Sequence, residues 1–360
     1  MERIRVGLIG TGFGGNVVLP ALRAVPGIEV SSVCAAHLEG AKAFAAAQGI
    51  PSATDNVREL VSGDVDLVVS CTPPRSHTDL VQAAMDAGRH VFSTKPLAPT
   101  VAAARRLRDG ARERGLVTAM DLDNRYVPVR RYLRHLVRSG YLGDLRCVLA
   151  TVFTNHSEDP AKRIHYWNWV SLRDECGGML GASLLLHHVD LLRYTFGEVT
   201  GVGGLATTLV TEKPVLAPGH GEWTGLGPGT PTVGMRPVDA EDMVVLHGQL
   251  AAGGVFSLTG TWSVHHPSGV RVEAYGSEGT LVLNPDGRLL GARAEDPGLA
   301  ELAVPARFGS AGSDTHVERF RLLFSDVAAA IRGEADDPLF ARFDDGLRVR
   351  EIAAAVVPET

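Results

Sequence analysis

The sequence predicts an α/β protein in two parts: a doubly wound parallel sheet, then an α+β region built on a large, mostly antiparallel open sheet. Three observations carry this. Short β-rich runs alternate with Ala- and Arg-rich stretches of helical period from residue 1 to about 122. A Gly-x-Gly-x-x-Gly string stands between the first β-rich run and the first helical one. Beyond Phe196, alternating runs follow one another with no helix between most of them, the pattern of consecutive antiparallel strands.

In the first part, strands are predicted near Ile4–Ile9, Ile28–Ala35, Leu67–Cys71, His90–Ser93 and Leu116–Met120. Helices fill the gaps, clearest over Ser76–Ala87 and Thr100–Arg114, where Thr100 suits an N-cap and Gly88 and Gly115 suit C-terminal stops. After Asp121 come a helix near Val127–Ser139, a long β run Leu145–Thr154, an irregular segment rich in Trp and His, and a helix over Leu180–Phe196. The alternating runs are Val199–Val210, Met243–Leu250, Val255–Trp262, Gly269–Tyr275 and Thr280–Leu283. The Gly- and Pro-rich stretch Lys213–Arg236 reads as a long loop, either at an active site or interface or poorly ordered. Helices near Thr315–Arg332 and Asp345–Val357 close the chain. The expected domains are residues 1–122 and 123–360.

Length and composition fit this plan. With 360 residues, 45% hydrophobic and 21% charged, the chain can bury two cores. A net charge of -6, with basic pairs such as Arg105-Arg106 among acids, gives no reason to expect nucleic acid. The four cysteines show no Cys-x-x-Cys spacing, which points to buried thiols in a reducing, cytoplasmic compartment. Glycines break the apolar N-terminal run, and no membrane span is expected. The histidines are scattered, so no metal centre is expected either.

The glycine string is Gly10-Thr11-Gly12-Phe13-Gly14-Gly15. Gly10 permits a tight turn, Gly12 lets backbone approach a pyrophosphate, and Gly15 allows close helix packing, the logic of a Rossmann dinucleotide site. Such a site for NAD carries an acidic residue about 20 positions further on, at the end of the second strand. Here that strand ends Cys34-Ala35-Ala36-His37, with neither carboxylate nor arginine. NAD and NADP therefore both stay open; His37 is the one residue there able to meet a 2′-phosphate, and it reads equally well as the start of the next helix. Two further strand ends, Cys71-Thr72-Pro73-Pro74 and Ser93-Thr94-Lys95-Pro96, point to the same crevice. An ammonium at Lys95 suits stabilisation of an alkoxide or polarisation of a ketone. In Ser183-x-x-x-His187-His188-x-Asp190, Ser183 and His187 share one helical face, and His187 suits proton transfer.

Gly10-x-Gly12-x-x-Gly15, Thr72-Pro73-Pro74, Lys95-Pro96, Arg125-Tyr126, the Gly177-Gly178 to Asp190 block, Tyr275-Gly276-Ser277-Glu278-Gly279 and Asp345-Gly346-Leu347 occur in one order. In that order and spacing the chain resembles the glucose-fructose oxidoreductase / inositol dehydrogenase (Gfo/Idh/MocA) family over nearly its whole length. The resemblance implies a Rossmann domain and a second α/β domain whose open sheet makes oligomer contacts, with substrate between them beside a nicotinamide. It assigns Lys95 and His187 to proton transfer. Two departures stand out: Thr94 replaces the family's glutamate before the lysine, and Ser183 replaces the aspartate four residues before the histidine. Serine holds no imidazolium by charge, so His187 is expected to be a weaker base than its counterparts.

The expected site is then Lys95 and His187 as catalytic groups. Ser183, Trp167, Arg125 and His188 are expected on the substrate, and Gly10, Thr11, Gly12, Phe13, Gly14, Gly15, His37, Thr72, Pro73, Pro74, His77 and Lys95 on the cofactor. The expected activity is hydride transfer between NAD or NADP and a polyol, sugar or sugar-like ketone, by a homodimer or homotetramer. A sensor that binds cofactor without turnover and an NAD-assisted glycosidase are the alternatives.

Overall fold

In the first sheet, apolar β-branched runs form six parallel strands: β1 (Ile4–Ile9), β2 (Ile28–Cys34), β3 (Ser52–Thr54), β4 (Leu67–Ser70), β5 (His90–Ser93) and β6 (Thr118–Met120). Val6, Leu8, Val33, Val68, Val69, Val91 and Phe92 are fully buried, as a sheet covered on both faces requires. The strand order is β3-β2-β1-β4-β5-β6, with its switch between β1 and β4. The structure is a computed structural model; it describes residues 3–176, 178, 184–219, 226–309, 314–335, 338–357 and 359.

One π-helical turn, Gly14–Val18, leads into α1 (Leu19–Arg23). The other crossover helices are α2 (Leu38–Gln48), α3 (Val57–Ser62), α4 (Pro74–Asp86) and α5 (Val101–Glu113). The Thr100 side chain caps α5 by accepting from the Ala103 amide at 3.2 Å. Strand β3 was not among the predicted strands, since its three residues are too few to show a period.

The chain divides into two compact units, Met1–Val127 with Ser313–Arg350, and Pro128–Gly312 with Glu351–Thr360. This differs from the expected break after residue 122, which left the whole C-terminus in the second domain. Hydrophobic burial is the reason. The helix His316–Ile331, capped by the Thr315 hydroxyl, buries Phe320, Leu323, Phe324 and Val327 in the core of the first unit. The Phe324 ring lies 5.0 Å from Phe92 on β5, and the Phe320 ring lies 5.6 Å from Phe13 in the glycine turn.

The second unit carries an eight-stranded sheet of order β16-β15-β14-β13-β7-β12-β11-β8. Its strands are β7 (Leu145–Phe153), β8 (Val199–Thr207), β11 (Met243–Leu250), β12 (Val255–Thr261), β13 (Gly269–Gly276), β14 (Gly279–Leu283), β15 (Leu289–Arg293) and β16 (Ala300–Glu301). Every pair is antiparallel except β12 with β7. The stretch predicted as a loop, Lys213–Arg236, instead contributes most of a hairpin, β9 (Glu212–Leu216) with β10 (Thr232–Pro237). Its glycines and prolines hid the pairing, because they weaken local strand signals without forbidding an edge ribbon.

One face of the large sheet packs against helix α7 (Leu184–Phe196), on which helix α6 (Pro128–Arg138) lies in turn. A Cβ on Gly260 of β12 would stand 2.4 Å from Leu185 Cδ1, so glycine is what lets α7 lie this close to the sheet. The other face leaves Leu149, Leu205 and Val255 exposed by 43%, 65% and 51%. Among the described residues no helix is long and apolar enough to cross a membrane, and none of the four cysteines forms a disulfide.

The returning helix makes a testable demand. Phe324→Ala, which empties a fully buried ring position, is expected to cost about 3–5 kcal/mol. Urea unfolding followed by tryptophan fluorescence checks this, and an unchanged midpoint contradicts the assigned packing.

Candidate functional site

In the first unit the residues that follow the strands form one hydrogen-bonded row. The Gly10 amide donates to the Cys34 carbonyl at 2.9 Å, Cys71 to Ile9 at 2.8 Å, Thr94 to Ser70 at 3.0 Å, and Asp121 to Ser93 at 3.0 Å. Each strand thus releases its chain at the same edge, and the glycine turn, Thr72-Pro73, Thr94-Lys95 and Asp121 all open there. This is the carboxyl edge, where open parallel sheets bind ligands.

Gly10 has φ +97, and a Cβ on it would stand 2.7 Å from the Cys71 carbonyl oxygen. Both facts require glycine. A Cβ on Gly15 would meet Phe44 of α2 at 2.7 Å, so this position also needs glycine for close packing. The Gly15 and Asn16 amides are taken by the Thr11 and Gly12 carbonyls. The amides of Gly12, Phe13 and Gly14 precede the first helical acceptors, where a helix start offers donors to an anion. The donor set and the glycine geometry fit a dinucleotide pyrophosphate.

Not every expected cofactor residue has surface to give. Thr11, Gly12, Phe13, Gly15, Thr72 and Lys95 are half-buried, and Pro73 and His37 are exposed. Gly14 and Pro74 are buried, and His77 has no exposed surface. The expectation that His77 meets cofactor is therefore corrected. Its ring stands within the first turns of α4, Nδ1 lying 2.8 Å from the Pro96 carbonyl and Nε2 against the Thr72 carbonyl and 3.1 Å from the Thr94 hydroxyl. Burial lowers its pKa, so the ring is neutral and donates from one nitrogen only: Nδ1–H bonds the Pro96 carbonyl while Nε2 accepts from the Thr94 hydroxyl, which ties the start of α4 to the Thr94–Pro96 segment. Thr94, where the family resemblance leads one to expect glutamate, is part of that tie. The Lys95–Pro96 peptide is cis.

Arg125, expected on the substrate, is buried with its guanidinium 2.9 Å from the Asp345 carboxylate. That pair joins the Asp123–Tyr126 turn to the helix Phe343–Ala354. Its charge is committed to packing, a partner the sequence separates too widely to show.

Sequence reasoning also passed over Asp121. It is buried at the end of β6, and burial first, then the neighbouring Asp123, raises its pKa to about 7, while Lys95 acts in the opposite direction. Asp121 also helps raise the Cys71 thiol, chiefly raised by burial. A lone aspartate after a short strand gives no sequence signal of this.

The second unit places the remaining candidates. His187 and His188 are consecutive on α7, about 100° apart around the helix, and both are buried. Burial and then Arg130 lower the His188 pKa well below its usual range, so this ring is neutral. Asp190 lies 3.7 Å from Arg193, one turn on. Ser183 lies outside the described residues. Trp167 is held on the β9–β10 hairpin: its amide donates to Pro214 O at 2.8 Å, its Nε1 to Pro237 O at 3.0 Å, and Arg236 stands 4.4 Å over its ring. Beside it Lys213 is buried, donates to Ile164 O at 2.7 Å and is lowered by burial to about 8. That lysine was masked by the loop reading of its segment.

Comparison with known proteins bears on both units. The family model described as "Oxidoreductase family, NAD-binding Rossmann fold" matches residues 4–122, and that described as "GFO/IDH/MocA C-terminal domain" matches residues 130–282. A levoglucosan dehydrogenase of Pseudarthrobacter phenanthrenivorans is 27% identical over 298 residues, 80% of this chain and 75% of that protein. An uncharacterized oxidoreductase of Synechocystis sp. is 28% identical over 284 residues, 79% of this chain and 72% of that protein. The solved structure of a levoglucosan dehydrogenase in complex with NADH and L-sorbose superimposes with a TM-score of 0.84 at 25% identity, covering 99% of this chain and 96% of that one.

The buried carboxyl allows a pH test. A carboxyl whose pKa is raised in the fold stabilises it most when protonated, and that contribution is lost as pH rises from the ordinary carboxylate range through the folded value. Asp121→Asn is expected to melt higher than the parent protein at about pH 8 and no higher at about pH 4. Calorimetry across that range decides it, and a constant difference would show that Asp121 titrates normally.

Proposed function

Because the chain belongs to the Gfo/Idh/MocA oxidoreductase family, and is an NAD-binding enzyme of dehydrogenase or reductase type, we propose that its substrate is a polyol, sugar or sugar-like ketone. The observation that carries the proposal is the shared carboxyl edge of the first sheet, where the glycine turn follows β1 and Lys95 follows β5, on either side of β4. The relatives named for levoglucosan, 1,5-anhydro-D-fructose and D-glucoside substrates support the substrate class.

In this reading the turn Gly10–Gly15 and the segment Thr72-Pro73 hold the dinucleotide. The nicotinamide, when bound, supplies the hydride acceptor or donor. The Lys95 ammonium holds the substrate oxygen and stabilises alkoxide character as it develops. His187 takes the hydroxyl proton in oxidation and returns it in reduction. Ser183 and Trp167 orient the sugar, whereas His188, as deeply buried as Arg125, stays in the packing of α7. The neutral His77 does not compete for that proton; it holds the segment that carries Lys95.

We also read the exposed sheet face bearing Leu149, Leu205 and Val255 as the contact surface of a homodimer or homotetramer, and the protein as cytoplasmic, consistent with its four unbridged cysteines. Light scattering is expected to report at least a dimer, and a monomer at micromolar concentration refutes the surface reading.

Lys95→Ala is expected to lower kcat/KM on the best sugar or cyclitol of a broad panel by at least about 100-fold. Turnover within a factor of about two of the parent refutes the role of Lys95. Cofactor binding with no hydride transfer across the panel favours the sensor alternative, and release of a leaving group with no net cofactor change favours the glycosidase one.

A further inference from the structure

We propose that the end of β2 admits a 2′-phosphate, so that this chain binds NADP(H) at least as tightly as NAD(H), and that His37 is the residue that meets the phosphate. The inference rests on the dinucleotide reading of the glycine turn and makes it more specific.

In doubly wound sheets the adenosine ribose meets the residues just past the second strand. A carboxylate there accepts from the 2′-hydroxyl and repels a phosphate, whereas a neutral or cationic side chain does neither. In this chain the Gly10 amide donates to the Cys34 carbonyl at 2.9 Å, so the glycine turn and the end of β2 are bonded neighbours. The Ala35 amide is then taken by the Thr54 carbonyl at 3.2 Å. Ala36 and His37 follow, both exposed. His37 has extended backbone, φ -137 and ψ 131, and its side chain makes no capping bond to α2.

The surrounding acids are accounted for one by one. Glu39 lies 3.3 Å from the Lys42 ammonium. Glu59 accepts from the Thr54 hydroxyl at 2.5 Å. Asp55 is exposed beyond the end of β3, close enough to the Cys34 thiol to act on it electrostatically. None of the three stands at positions 35 to 37. A 2′-phosphate, with up to about two negative charges near neutrality, therefore meets two alanines and an imidazole there. The missing carboxylate removes both the hydroxyl acceptor that favours NAD and the repulsion that excludes NADP.

The test is equilibrium binding, read by cofactor fluorescence and by calorimetry with the half-molecules 2′,5′-ADP and 5′-AMP. NADPH is expected to bind no more weakly than NADH, and 2′,5′-ADP more tightly than 5′-AMP. His37→Ala is expected to weaken NADPH about tenfold, the size of a lost hydrogen bond to a charged group, and to leave NADH within about twofold. Ala36→Asp is expected to weaken NADPH by more than about tenfold and to tighten NADH. Both positions are exposed, so folding is not at stake. NADH bound more than about tenfold tighter than NADPH by the parent protein overturns the proposal. So does an unaffected NADPH affinity in His37→Ala, or a selective loss of NADH in Asp55→Asn, which assigns the ribose to Asp55 instead. Binding of neither dinucleotide overturns the dinucleotide reading itself, whereas tight NADH binding without NADPH overturns this inference alone.

Discussion

At the switch between β1 and β4 the chain leaves the sheet on both sides at once. The Gly10 and Cys71 amides complete the last bonds to Cys34 and Ile9, and the Cys71 carbonyl stands where a side chain on residue 10 would begin. Only a residue without a Cβ, in the left-handed region, passes that carbonyl. The turn, the direction of the first helix start and the row of strand ends through Thr94 and Asp121 all follow from this close approach. The chemistry assigned to Lys95 depends on the same edge, because the lysine follows β5, the strand that pairs with β4.

Buried polar groups then hold the edge in shape. His77 is neutral because its burial makes charging expensive, and the neutral ring donates to the Pro96 carbonyl and accepts from the Thr94 hydroxyl, fixing that segment to the start of α4. Thr94 therefore has a structural partner in place of the ionic role a glutamate would play. Asp121 stands on the opposite side of that economy: a carboxyl that resists ionisation beside an amine that favours it. The buried Arg125 guanidinium pairs with the half-buried Asp345 carboxylate and fastens the C-terminal helix to the Asp123–Tyr126 turn.

The second unit solves a different problem, how to bury one face of a wide sheet with few helices. Gly260 lets α7 approach, and the helix carries His187 with it. The hairpin β9–β10 grips Trp167 through backbone bonds, an indole donor and the Arg236 cation. The wiring of that tryptophan to the hairpin shows how the ring is oriented, whichever face a substrate uses.

Local chemistry was enough for much of this. Period-two apolar runs located β1, β2, β4, β5 and the central strands of the second sheet, Thr100 and Thr315 announced helix starts, and the glycine string announced the turn, because each signal lies within a few residues of what it specifies. The segments it missed, β3, the hairpin, β15 and β16, are short or glycine-rich and acquire their pairing from neighbours. What tertiary structure alone decided is the company each residue keeps. The return of Phe320 and Phe324 to the first core, the burial of His77, the commitment of Arg125 to Asp345 and the raised carboxyl of Asp121 all join positions far apart in the chain. Burial and electrostatics act through space, so a residue's charge state and availability depend on neighbours that its sequence position does not name.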